Sequence, residues 1–155
     1  MGHKKPRESS RPQNVINVTD IGNVNTQLVI SYKYLDNSNK KFSMDLISNN
    51  RLRIQSENRL RSKLAEYCDF DNFKKKIKDD LTYRDNNHIH PIEWDDNRIR
   101  ENSFTSLDDE LMEQIKTDCW QLGIDNQGFR IHGFFVDNVF YIVWLDPEHN
   151  LYNRK

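Results

Sequence analysis

The chain has 155 residues, with 23 Lys/Arg against 24 Asp/Glu and a formal net charge of −1, so no global charge excess calls for a nucleic-acid or membrane-surface partner. This length fits one domain with a real core, but 35% hydrophobic against 30% charged residues is polar for a globular domain and implies a thin core, a mobile tail or both. No apolar run approaches the roughly 18 residues of a membrane-spanning helix. The basic start Met1-Gly2-His3-Lys4-Lys5-Pro6-Arg7 lacks the apolar stretch of a secretory signal. The two cysteines, Cys68 and Cys119, have no metal-type spacing and fit buried thiols in a reducing compartment, so the expected location is the cytoplasm.

Charge is spread unevenly. Residues 40–84 hold twelve Lys/Arg against seven Asp/Glu, and residues 85–125 hold three against eleven. The two stretches either form a bipolar surface or neutralise each other in the fold.

In chain order, residues 1–25 show no sustained period and contain Pro6, Pro12, Lys4, Lys5, Arg7 and Arg11. They read as a flexible basic tail, with a single domain over 26–155. Gln27–Tyr34 is rich in β formers. After the turn cluster Asp36-Asn37-Ser38-Asn39, Lys41–Ile47 alternates with Phe42, Met44 and Leu46 on one face. The pair predicts a first hairpin. Helical spacing begins near Ser56, with Leu60, Leu64, Tyr67 and Cys68 inward. A second helix from about Asp71 turns Phe73, Ile77 and Leu81 inward. Arg59, Lys63, Lys74 and Lys75 lie on the outer faces of these helices. They serve either solvation or contact with RNA phosphates.

Residues 84–105 have no period. His88 and His90 stand two apart before Pro91. This spacing occurs in metal sites, but it supplies no third ligand. The expectation is a loop over the sheet and no bound metal. Ser106–Leu122 reads as a helix with Ser106 as cap, acidic Asp108, Asp109 and Glu110 in its first turn, and the stripe Leu107, Leu111, Ile115, Cys119, Leu122 ending at Gly123.

Two β-rich runs then flank Asp137-Asn138, a tight-hairpin signal. Closing the turn there sets Val136 opposite Val139, Phe135 opposite Phe140 and Ile131 opposite Trp144. Alternation gives an apolar face of Phe129, Ile131, Phe135, Phe140, Ile142 and Trp144. The other face carries Arg130, His132 and Tyr141 and is expected to be at least partly open. Pro147 ends the ladder, and His149, Tyr152 and Arg154 follow.

Metal-free RNA cleavage needs a base for the 2′-OH, a cation for the phosphorane and an acid for the leaving oxygen. Arg130, His132, Tyr141, His149 and Tyr152 offer those groups. The same side chains also occur on open sheet faces with no role beyond packing and solubility. No Gly-rich phosphate loop, nucleophile elbow or CxxC is present, and no cofactor is expected.

The stretch Phe129-Arg130-Ile131-His132, Val139–Asp146, His149 and Tyr152 resembles the C-terminal core of RelE/HigB-type toxins, which are ribosome-associated mRNA endonucleases restrained by an antitoxin. The resemblance covers about 28 residues. It implies Arg130 as the phosphate-contacting arginine and His149 and Tyr152 as the acid/base pair, with RNA or the ribosome as target and an antitoxin-like protein as partner. The expected fold is α+β, an antiparallel sheet of four or five strands with helices packed on one face. Two other functions stay open: a non-enzymatic interaction module, as in phage or defence accessory proteins, and a metal-dependent nuclease using His88 and His90.

Overall fold

The computed structural model describes residues 26–152, so the expected basic tail and Arg154 lie outside the described residues. The elements are β1 (Val29–Ser31), a 3-10 turn (Met44–Leu46), α1 (Asn50–Cys68), α2 (Phe73–Asp79), α3 (Leu81–Asn86), β2 (His90–Pro91), α4 (Asp109–Ile115), β3 (Cys119–Gly123), β4 (Arg130–Val136) and β5 (Val139–Asp146). The fold is α+β. Its five-stranded sheet has the order β1-β5-β4-β3-β2; every pairing is antiparallel except β1 with β5.

Side-chain caps set the helix starts. Asn49 accepts from Leu52 N at 3.1 Å, Asn72 from Lys75 N at 3.1 Å, Asp80 from Tyr83 N at 2.9 Å and Asp108 from Leu111 N at 2.7 Å. Each satisfies an amide that the first helical turn leaves without a partner. Hence α1 begins at Asn50, well before the expected start near Ser56.

Two cores sandwich the sheet. On one side α1 and α2 deliver Leu60, Leu64, Tyr67, Phe73 and Ile77 onto Phe129, Ile131, Phe135, Phe140 and Ile142. On the other, Phe42, Ile92, Phe104, α4's Met112 and Ile115, Leu151 and Tyr152 cover Phe134 and Trp144. The face expected to be open is therefore covered, and His132 is fully buried on it. Its cover is mostly irregular chain, residues 92–107, whose lack of period hid its few deep apolar anchors.

The hairpin turn falls at Asp137-Asn138, with Asp137 at φ 51°, and Val136 pairs with Val139 and Phe135 with Phe140. Beyond Gly133 the register differs from strict alternation. A bulge between His132 and Gly133 sets Ile142 opposite Gly133 and Trp144 opposite His132. Val143 is the extra residue, and inserting one residue turns all later side chains over. Trp144 thus joins the His132 face, stacked on Phe42 at 4.3 Å between centroids. Gly133 permits this: a Cβ there would collide with Tyr141 O and come within 2.9 Å of the Phe140 ring.

Two further expectations are corrected. Lys41–Ile47 is no strand. Asn39 Oδ1 accepts from Lys41 N and Phe42 N and Ser43 caps the 3-10 turn, so the segment anchors Phe42 instead of joining a ladder. The helix expected over Ser106–Leu122 stops at Ile115. Cys119–Gly123 pairs with both β2 and β4, and this double ladder overrides the i, i+4 stripe.

Candidate functional site

The sheet ladder aligns polar side chains on the second face. His90 on β2 lies opposite Gln121 on β3, Gln121 opposite His132 on β4, and His132 opposite Trp144 on β5. Arg130, two residues from His132 and therefore on the same face, lies opposite Gly123 and Asp146. Arg130, His132, Gln121 and Asp146 are the buried polar or charged residues of the core among the described residues, and all belong to this patch of sheet.

His132 and Asp146 form its interior end. His132 Nε2 stands 2.9 Å from Asp146 Oδ2, both side chains fully buried. Asp146 Oδ1 accepts from Asn150 N at 2.6 Å and Oδ2 from Leu151 N at 3.1 Å. Burial pushes the Asp146 carboxyl up, but the His132 hydrogen bond and charge and the two amides outweigh it and hold it below the usual carboxylate range. Asp146 thereby folds the chain after Pro147 back over the sheet. His149 within that turn adopts φ 57°, an uncommon left-handed conformation for a residue with a Cβ. Tyr152 is fixed at the end by a bridge to Ile99.

A pocket of roughly 360 Å³ opens at the outer end of this patch, lined by Arg84, Asp85, His88, Ile89, His90, Arg98, Gln121, Arg130, His149 and Tyr152. Three arginines converge here from α3, the 92–107 segment and β4. Arg84 packs over the Trp120 ring at 5.3 Å. Arg98 is held by Asp96 through contacts of 3.1, 3.2 and 2.6 Å and lies 5.4 Å from the centre of the Tyr152 ring. That ion pair holds Asp96 down at about 2. Arg130 Nη1 donates to Asp125 O at 2.7 Å and to Phe129 O at 2.9 Å, which fixes the guanidinium from behind.

The titratable rings gather on Tyr152. Its ring centre is 5.1 Å from that of His90 and 6.0 Å from that of His149, and its hydroxyl is 3.4 Å from His90 Nδ1. Burial raises the Tyr152 phenol, with Asp96 adding to the effect, so it keeps its proton throughout the physiological range. Burial lowers the His90 imidazole, and nearby His132, Arg98 and Arg84 oppose its charged form. The Pro91 carbonyl 3.0 Å from His90 Nδ1 can only accept, so Nδ1 carries the proton and Nε2 is the basic nitrogen. His88, at φ 54°, lies 3.3 Å through Nε2 from Asn126 Oδ1.

Of the site residues expected from sequence, Arg130, His149 and Tyr152 meet in the pocket. His132 sits behind it. Tyr141 does not reach it and packs against Tyr34 and Phe134 at 5.3 and 5.1 Å. Arg59, paired with Asp125 at 3.3 Å, and Lys63, 2.7 Å from Asn87 Oδ1, flank the His88 side. Lys74 and Lys75 do not. Lys74 donates to Asp137 O at the hairpin turn, the opposite end of β4 from Arg130, and Lys75 lines a groove between α2 and α3. Sequence reasoning missed Arg84, Arg98, Gln121 and Asp146. Only their placement by α3, the ladder and the 92–107 segment marks them. Among the described residues no group of three His, Cys, Asp or Glu side chains is placed to hold a metal ion, and no helix is long and apolar enough to cross a membrane.

No curated protein matches the chain, and no solved structure matches it. A family model does match over residues 31–155, which span the pocket and nearly all of the sheet, and the chain belongs to that family, described as Uncharacterised protein UU032.

Proposed function

We propose that the protein binds RNA, holding a backbone phosphate in the three-arginine pocket, and that it cleaves the strand by metal-free acid/base chemistry. The observation that carries this reading is the convergence of Arg84, Arg98 and Arg130 with His90, His149 and Tyr152 on one pocket. Guanidinium groups match phosphate geometry and keep their charge. The partial resemblance of the C-terminal strands to RelE/HigB-type toxins supports the same chemistry at Arg130, His149 and Tyr152.

In the reaction proposed, an imidazole takes the proton of a ribose 2′-OH. The 2′-oxygen then attacks the adjacent phosphorus, and the bond to the 5′-oxygen breaks. The products are a 2′,3′-cyclic phosphate and a 5′-hydroxyl. The arginines hold the non-bridging oxygens as charge accumulates on them. His149 is assigned the base role, and Tyr152, which retains its proton, the acid role, with His90 beside its hydroxyl. The setting that fits this activity is the cytoplasm, with the ribosome presenting mRNA and an antitoxin-like protein covering the pocket.

The test is RNA cleavage, with and without ribosomes, by wild type, Arg98→Ala and His149→Ala. Both positions are at least partly exposed, so these variants spare the fold, whereas Arg130 is buried and bonded to the backbone. His149→Ala should reduce cleavage by about 10²–10⁴-fold and Arg98→Ala by about 10²–10³-fold, each with unchanged circular dichroism. Equal behaviour of all three proteins removes the pocket from any RNA chemistry and favours a non-enzymatic interaction module.

A further inference from the structure

The pocket contains a buried acceptor that its described neighbours do not use. Gln121 is 2% exposed and lines the pocket in the middle of the row from His90 to His132. Its Nε2 donates to His88 O at 3.1 Å, but its buried Oε1 has no hydrogen-bond partner among the described residues. The orientation is chemically fixed. Turning the amide over would set Oε1 against His88 O, two acceptors facing each other. The flanking histidines leave Oε1 unmet as well. His90 Nδ1 faces Pro91 O and His132 Nε2 faces Asp146, and His132 Nδ1 likewise has no hydrogen-bond partner among the described residues.

A buried acceptor without a donor is costly, and native structures rarely leave one so. Here it stands in a pocket where Arg84, Arg98 and Arg130 supply cationic donors. A phosphate or carboxylate offers only acceptors and cannot satisfy it. The complementary ligand has a hydroxyl or amino donor close to its anionic group. We propose that Gln121 is the specificity residue of the pocket: in the bound state its Oε1 accepts a hydrogen bond from the ribose 2′-OH next to the phosphate held by the arginines, and the hydroxyl turns that proton to His149 as cleavage begins, so the site selects RNA over DNA. This rests on the RNA reading above. The 2′-OH is the group that distinguishes the two nucleic acids, and it is a donor as well as an acceptor.

The test uses nucleoside 3′-monophosphates, which contain no internucleotide bond to cleave. Dissociation constants of uridine 3′-monophosphate and its 2′-deoxy and 2′-O-methyl analogues are measured by calorimetry for wild type, Gln121→Met and Arg98→Ala. Wild type should bind the ribose form about 5- to 150-fold more tightly than the 2′-deoxy form, the range equivalent to an unmet buried acceptor at roughly 1–3 kcal/mol. The 2′-O-methyl form, which keeps the oxygen but not the donor, should bind as weakly as the deoxy form. Gln121→Met, similar in length and without an acceptor amide, should bind ribose and deoxy forms alike. Equal binding of the three nucleotides by wild type overturns the proposal, with an internal water then satisfying Gln121. If Arg98→Ala still weakens them all, the phosphate pocket survives that result. Absence of binding by any nucleotide overturns both. Should Gln121→Met fail to fold, the three nucleotides on wild type decide the matter alone.

Discussion

Replacing Asp146 by Ala probes the device that shapes the pocket's far wall. The carboxylate accepts from His132 Nε2 at 2.9 Å, Asn150 N at 2.6 Å and Leu151 N at 3.1 Å, all in a buried setting. Truncation leaves three donors without an acceptor. Hydrogen bonds to a charged group contribute about 1.5–3 kcal/mol each but are not additive within one network. Removing one partner of a buried pair costs about 3–5 kcal/mol, and we expect a loss in that range. With an m-value near 1.5 kcal/mol/M in urea, roughly typical of a small domain, the unfolding midpoint should fall by about 2–3 M. Asp146→Asn keeps the shape and one acceptor oxygen and should lose less. Its acid limb should also change. The folded Asp146 carboxyl lies below its unfolded value, so its contribution is present above the unfolded pKa, about 3.9, and is lost as pH falls through the folded pKa. Wild type should therefore lose stability below about pH 4 more steeply than Asp146→Asn. A loss under about 1 kcal/mol in Asp146→Ala, or identical acid limbs, would mean that the carboxylate does not hold the turn in place.

Trp144 is fully buried against Phe42, Phe104 and Trp94, and Trp144→Ala should destabilise by about 3–5 kcal/mol in urea melts; a change under about 1 kcal/mol would contradict the bulged register. His90 has its folded pKa lowered by burial, so its contribution is complete above the unfolded value near 6.5 and declines as pH falls toward the folded one. As pH falls below about 6.5, wild type should lose stability by more than His90→Asn does; parallel curves would place the imidazole in solvent. RNA binding should weaken with salt, with a log–log slope near about −0.7 for the one phosphate that the three arginines hold; a flat response would point to a protein partner.

Much of the hairpin was legible from residues alone. Asp137-Asn138 between β-rich runs fixed the turn and the pairs nearest it, since turn chemistry acts locally. Pairing beyond Gly133 was not, because a bulge depends on what the backbone must approach, here Tyr141 O, and not on a pattern of polarity. Cys119–Gly123 was misread for a related reason. Its apolar spacing suits a helix, and only the strands on both sides make it a strand. The pocket was half legible. Arg130, His149 and Tyr152 stood out beside the terminal strands, whereas Arg84 and Arg98 lie in stretches whose course the ladder and a few apolar anchors determine. Tyr141 lies outside the pocket, because alternation gives the face of a side chain but not its distance from the sheet's end.

Whether the three-arginine pocket is where RNA binds can be read by a nuclear magnetic resonance titration of the labelled protein with a short RNA oligonucleotide, following arginine side-chain and histidine ring signals. Saturable shifts are expected at Arg98, Arg84, His90 and His149 and should be lost in Arg98→Ala, with Lys74 at the hairpin turn and Lys75 in the groove between α2 and α3 unmoved. Saturable shifts centred on α2 with the pocket signals unchanged, or no saturable shift at all, would contradict RNA binding at this site.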